Sequence, residues 1–81
     1  MNVTVSFIGR YKSLTGGEIT LTLSPGHTIY DVVTQLAQKY PEIEKDKKFL
    51  MVSKNNTYTT LKDSINDGDT ITIIPPVVSG G

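Results

Sequence analysis

The chain has 81 residues, enough for one small domain with a single compact core but not for a core plus a deep, walled active site. Eight lysines and arginines balance eight aspartates and glutamates, so the basic excess that phosphate neutralisation demands is missing and nucleic acid is not an expected partner. Cysteine is absent, which excludes disulfides, thiolate metal sites and a thiol nucleophile, and agrees with a reducing compartment.

From the N-terminus, Val3, Val5 and Phe7 alternate with Asn2, Thr4 and Ser6, the period of a half-buried strand. This opening lacks the basic and apolar regions of a signal peptide, and no stretch reaches membrane-spanning length. A cytoplasmic protein without a membrane partner is expected. A loop around Thr15-Gly16-Gly17 leads to a second strand, in which Ile19, Leu21 and Leu23 alternate with Thr20, Thr22 and Ser24.

The period changes after Ser24-Pro25-Gly26. Ile29, Val32, Val33, Leu36, Ala37 and Tyr40 fall at helical spacing and form one apolar stripe. Thr28 suits the N-cap, Asp31 the positive end of the helix dipole, and Pro41 the stop. His27, the single histidine, has no evident partner and reads as a turn residue. The mixed run Glu42–Lys48 reads as a solvated loop.

Phe49–Val52 reads as a third strand, Tyr58 as part of a short edge strand, and Leu61 with Ile65 as a plug delivered by a helical turn. Asn66-Asp67-Gly68-Asp69 is turn chemistry, with too few oxygen ligands for calcium. Thr70–Ile74 forms the last strand, ended by Pro75-Pro76. The expected core is Val3, Val5, Phe7, Ile19, Leu21, Leu23, Ile29, Val32, Val33, Leu36, Leu50, Val52, Ile71 and Ile73. A hairpin, a crossover helix and further strands define an α+β fold of β-grasp (ubiquitin-like) type. In it one helix packs across one face of a mixed sheet of four to five strands.

No catalytic constellation is present: there is no G-x-S-x-G, no phosphate-cradling glycine loop and no metal-ligand spacing. The chain is therefore expected to be no enzyme and to bind no cofactor or metal itself. Folding does not account for Val77-Val78-Ser79-Gly80-Gly81. The prolines aim these five residues away from the body, and glycines lacking Cβ can thread a narrow channel. The chain divides into a domain over 1–76 and a flexible tail over 77–81. Such a terminus suits attack on ATP, because adenylation turns a carboxylate oxygen into a leaving group that sulfur or an amine can displace.

The run Asp67–Val77 into Ser79-Gly80-Gly81 resembles the C-terminal signature of the MoaD/ThiS family of ubiquitin-like sulfur carriers, which includes small subunits of molybdopterin synthase. Phe7–Gly16 resembles the family's first strand and loop, with an aromatic pair, a basic residue, a leucine and a glycine in register. The family tail usually carries one residue between its valine and the diglycine, where Val78-Ser79 supplies two.

The resemblance implies that an E1-like enzyme of the MoeB/ThiF type, using ATP, adenylates Gly81. Its carboxylate then becomes a thiocarboxylate, and the large synthase subunit of the MoaE type accepts the tail. Val77, Val78, Ser79 and Gly80 would line the partner's channel, and sulfur would pass to a pterin precursor of the molybdenum or tungsten cofactor. Other members of the superfamily form isopeptide bonds through the same diglycine or serve tRNA thiolation or thiamin synthesis.

Strand alternation adds a candidate surface. If Val5, Phe7, Leu50, Val52, Ile71 and Ile73 face the helix, Met51 and Ile74 project to the opposite face. Ile8 joins them if its strand stays regular through Gly9, making an apolar docking patch at the tail's root.

Overall fold

The computed structural model describes residues 1–77. Five strands form one mixed sheet: β1 (Asn2–Phe7), β2 (Glu18–Thr22), β3 (Met51–Lys54), β4 (Thr57–Thr59) and β5 (Thr70–Ile74), in the order β2-β1-β5-β3-β4. β1 runs parallel to β5, and the other neighbours pair antiparallel. A parallel pair needs a crossover on one face. The helix α2 (Ile29–Lys39) supplies it, burying Ile29, Val32, Val33, Leu36 and Ala37. This is the β-grasp arrangement expected from the order of elements.

α2 begins where expected. Thr28 is its N-cap: the Thr28 hydroxyl accepts from the Asp31 backbone N–H, and the Asp31 carboxylate accepts from the Thr28 N–H at 2.8 Å. This reciprocal box satisfies donors that a helix start leaves unpaired. The Thr28 backbone N–H foremost, and the Thr28 hydroxyl after it, hold the Asp31 carboxyl below its ordinary range. His27 sits in the preceding turn, its Nδ1 donating to the Ser24 carbonyl at 2.7 Å.

Two expected loops are helical. Residues Arg10–Thr15 form a short helix, α1, closed by Gly16 at φ 94°, whose N–H reaches the Lys12 carbonyl at 2.9 Å. Pro41 ends α2 by holding Tyr40 extended, yet it also starts α3 (Pro41–Asp46), because its fixed φ and missing donor suit a first helical position. A 3-10 turn over Lys47–Phe49 comes next, so the third strand starts at Met51 rather than Phe49. Within the charged run Ile43 is fully buried, an anchor for what was expected to be a solvated loop.

The core differs from expectation at the sheet's margin and under the short helices. Tyr11 and Ile43 are buried though not expected to be, Ala37 and Ile65 are buried as the helical stripe and the plug predict, and Ile19, Leu21 and Leu50 pack against the core only in part. β2 is an edge strand, so Ile19 and Leu21 have a strand neighbour on one side alone. Leu61 lies in a turn, not a helical turn, and is half-buried, while Ile65 does plug the core.

Two polar turns lock the sheet. Asn55 and Asn56, at φ 52° and 71°, make the tight β3–β4 connection. The Asn55 side chain accepts from Thr70 N–H and donates to Asp69, both at 2.9 Å. Asp67 and Asp69 accept from the backbone N–H groups of Asn2 at 2.7 Å and Asn66 at 2.8 Å. The acidic pair is thus occupied as turn chemistry.

Candidate functional site

The end of the sheet where β5 finishes brings together the described part of the expected site. In the β3–β5 ladder Met51 stands opposite Ile74, while buried Val52 stands opposite buried Ile73. Met51 and Ile74 therefore share the face opposite α2. Met51 is 51% exposed and Ile74 half-buried. β1 ends at Phe7 and Gly9 turns away at φ 60°, so strand alternation does not place Ile8 with them. Ile8 is nonetheless 43% exposed at the same end of the sheet, directly after Phe7, which pairs with Ile73.

Beyond Ile74, Pro75 and Pro76 are half-buried and donate nothing to a ladder. Val77 is 93% exposed. Val78, Ser79, Gly80 and Gly81, expected to enter a partner's channel and to carry the activated carboxylate, lie outside the described residues.

Sequence reasoning missed three contributors. Phe49, assigned to the strand, lies in the 3-10 turn two residues before Met51 and is 68% exposed, a large apolar side chain close to Met51 in the chain. Gly9 stands against Pro75: a Cβ there would lie 3.2 Å from Pro75 Cγ. An isolated glycine just past a strand is the available signal for such close approach. The third is a junction between α1 and α3. Asp46 Oδ2 accepts from Arg10 Nη2 at 2.7 Å and from the buried Tyr11 hydroxyl at 2.6 Å, and Glu42 lies 3.5 Å from Arg10 Nη1. Burial, then the hydrogen bond to Asp46, pushes the Tyr11 phenol well above its ordinary value. The Tyr11 hydroxyl, with Arg10 next, holds the Asp46 carboxyl below its ordinary value. These charges satisfy one another, and the junction ties the segment after Gly9 to the body.

The described residues thus form a β-grasp domain in which exposed Met51 and half-buried Ile74 share one face beside Pro75 and Pro76, and comparison with known proteins places the chain in a family. The ThiS family profile matches residues 5–81, and the chain belongs to that family. It is 30% identical over 82 residues to the "Molybdopterin synthase sulfur carrier subunit" of Arabidopsis thaliana, covering all of this chain and 84% of that one. Among solved structures it is similar to small archaeal modifier protein 1 of Methanosarcina acetivorans: 26% identity, TM-score 0.76, with 99% of this chain and 96% of that one covered. A Helicobacter pylori complex of subunits 1 and 2 of molybdopterin-converting factor holds a chain of the same fold, at 20% identity and TM-score 0.66, with 99% and 100% covered. Among the described residues, no helix is long and apolar enough to cross a membrane.

Proposed function

We propose that the chain is a sulfur carrier for molybdopterin synthesis, acting as the donor subunit while partner enzymes perform the catalysis. The observation that carries this is the end-to-end likeness to a molybdopterin synthase sulfur carrier subunit. In this reading the Gly81 carboxylate attacks the α-phosphorus of ATP held by an E1-like enzyme, and pyrophosphate leaves. Sulfide (HS⁻) from the sulfur source then attacks the acyl carbon and displaces AMP, leaving a thiocarboxylate and a released proton. The chain's own contribution is delivery: the β-grasp body docks while the prolines direct the tail into the partner. Ile8, Met51, Ile74 and Phe49 supply the apolar contact, and a larger synthase subunit receives the tail; a complex of subunits 1 and 2 of molybdopterin-converting factor from Helicobacter pylori supports a second subunit as partner. ATP belongs to the activating partner.

Intact mass after incubation with ATP, a sulfur source and an E1-like enzyme tests the reading. The expected product is heavier by the difference between a sulfur and an oxygen atom. A mass that never changes, together with no ATP–pyrophosphate exchange, overturns it. Gly81→Ala should retain binding to the activating enzyme yet lose roughly a hundredfold in exchange rate, since displacement by about 1 Å has that effect on a reacting group. Met51→Asp should weaken binding to either partner while leaving the melting temperature nearly unchanged, because that position is half in water.

The likeness to the archaeal modifier favours one second reading, in which a lysine amine rather than sulfur displaces AMP and forms an isopeptide bond. A diglycine remnant on lysines of other proteins, dependent on this chain, would establish it.

A further inference from the structure

Of the five glycines with positive φ among the described residues, Gly9 alone has another residue's ring against it. Gly16, Gly26 and Gly68 face nothing within 4 Å, and Gly17 meets only the flexible Lys12 side chain. At Gly9 a Cβ would lie 3.2 Å from Pro75 Cγ and 3.8 Å from Cδ. Its backbone, at φ 60° and ψ −141°, is near the region that only glycine occupies readily. We infer that Gly9 and Pro75 form a seat that sets the direction in which the chain leaves β5, making Gly9 a positioning residue for activation of Gly81. The inference rests on the sulfur-carrier reading for its link to activation, and on the described residues for the seat itself.

The geometry explains why the seat lies here. The parallel register that sets Phe7 against Ile73 brings Gly9 level with Pro75. Neither residue can extend the ladder, because Pro75 has no N–H and Gly9 has left the strand conformation. The two surfaces pack instead of pairing. Gly9 is itself held from both sides. Its carbonyl accepts from Lys12 N–H at 3.1 Å, and Phe7 N–H donates to the Gly17 carbonyl at 2.9 Å. The next two residues, Arg10 and Tyr11, are bound to Asp46. The seat is thereby fixed to β1 and α3, and the first residue beyond its prolines, Val77, is almost fully in water.

The test uses the full chain with Pro75→Ala, Gly9→Ala and both together. Pro75→Ala removes the ring and leaves Gly9's backbone untouched, so it reports on the seat even if Gly9→Ala fails to fold. In ATP–pyrophosphate exchange with the E1-like partner, Pro75→Ala should keep KM for the carrier within about twofold and lower kcat about tenfold or more, as expected of a misaimed reacting group. A residue that merely stabilised the fold would not produce this split. The double variant should have a kcat no lower than that of the worse single variant, since both substitutions act on one contact. In the protein alone, the heteronuclear NOE of the Val77 amide should fall in Pro75→Ala.

A wild-type kcat in Pro75→Ala, or losses that multiply in the double variant, overturns the positioning role. An unchanged Val77 NOE overturns the seat. If the wild-type chain shows no exchange at all, the sulfur-carrier reading falls with the positioning role, and the Val77 measurement still decides the seat.

Discussion

Asp46 gathers two donors on a single oxygen, one from Arg10 and one from a phenol with no access to water. Asp46→Ala would leave that phenol buried without an acceptor, a loss of about 1–3 kcal/mol. Each kcal/mol lowers the melting temperature of a domain this small by roughly 4–8 °C. The folded-state carboxyl is depressed, so its stabilisation is complete above the unfolded value of about 3.9 and is lost as pH falls through the folded one. The gap between wild-type and Asp46→Ala melts should therefore be flat from neutrality to about pH 5 and narrow below about pH 4. A gap that widens on acidification would contradict the assignment. The junction was not legible in the sequence, because 35 residues separate Tyr11 from Asp46 and neither periodicity nor spacing links them. The contact between Gly9 and Pro75 was hidden for the same reason, although the glycine beside a strand's end was in view.

Legibility at the scale of elements followed the strength of the repeating pattern. β5 matched its expected bounds, since Ile71 and Ile73 alternate with threonines and Pro75 closes the strand. α2 was readable because five buried residues mark its stripe and Thr28 with Asp31 marks its start. α1 and α3 have six residues each and bury one apiece, Tyr11 and Ile43, so neither shows a helical period. Met51 and Ile74 were correctly assigned to one face because alternation carries across paired strands, whereas Ile8 lay beyond the last regular residue of β1. The α2 cap is separable from function. Thr28→Ala should cost about 1 kcal/mol, within the 0.5–2 kcal/mol typical of caps. It should lower the melting temperature while leaving affinity for the E1-like partner proposed above unchanged, as thermal melts and calorimetry can check together.

For the molecule as a whole, the core of the described residues closes within residues 3–73, so a chain truncated after Val77 should melt within about two degrees of the full one and, on the sulfur-carrier reading, lose all loading. A fall of many degrees would mean that the tail packs. Acid should act globally, because Asp31, Asp46, Asp63 and Asp69 are all held below their ordinary range by hydrogen bonds. Each contributes above the unfolded carboxylate value and ceases to as pH drops through its own folded one, so stability should erode on acidification below about pH 4. The strand order carries one more consequence. β5 occupies the middle of the sheet, between β1 and β3, although it comes last of the five in the chain. During synthesis β1 and β3 emerge with no common neighbour, and the sheet's centre cannot assemble until residues 70–74 have left the ribosome. Pairing across that sequence distance makes folding a late, long-range event. A nascent chain that stalls before Ile74 lacks the sheet's centre and the terminal glycines alike. On the sulfur-carrier reading proposed above, the order of translation would present Gly80 and Gly81 to an activating enzyme only after every strand of the sheet has been made.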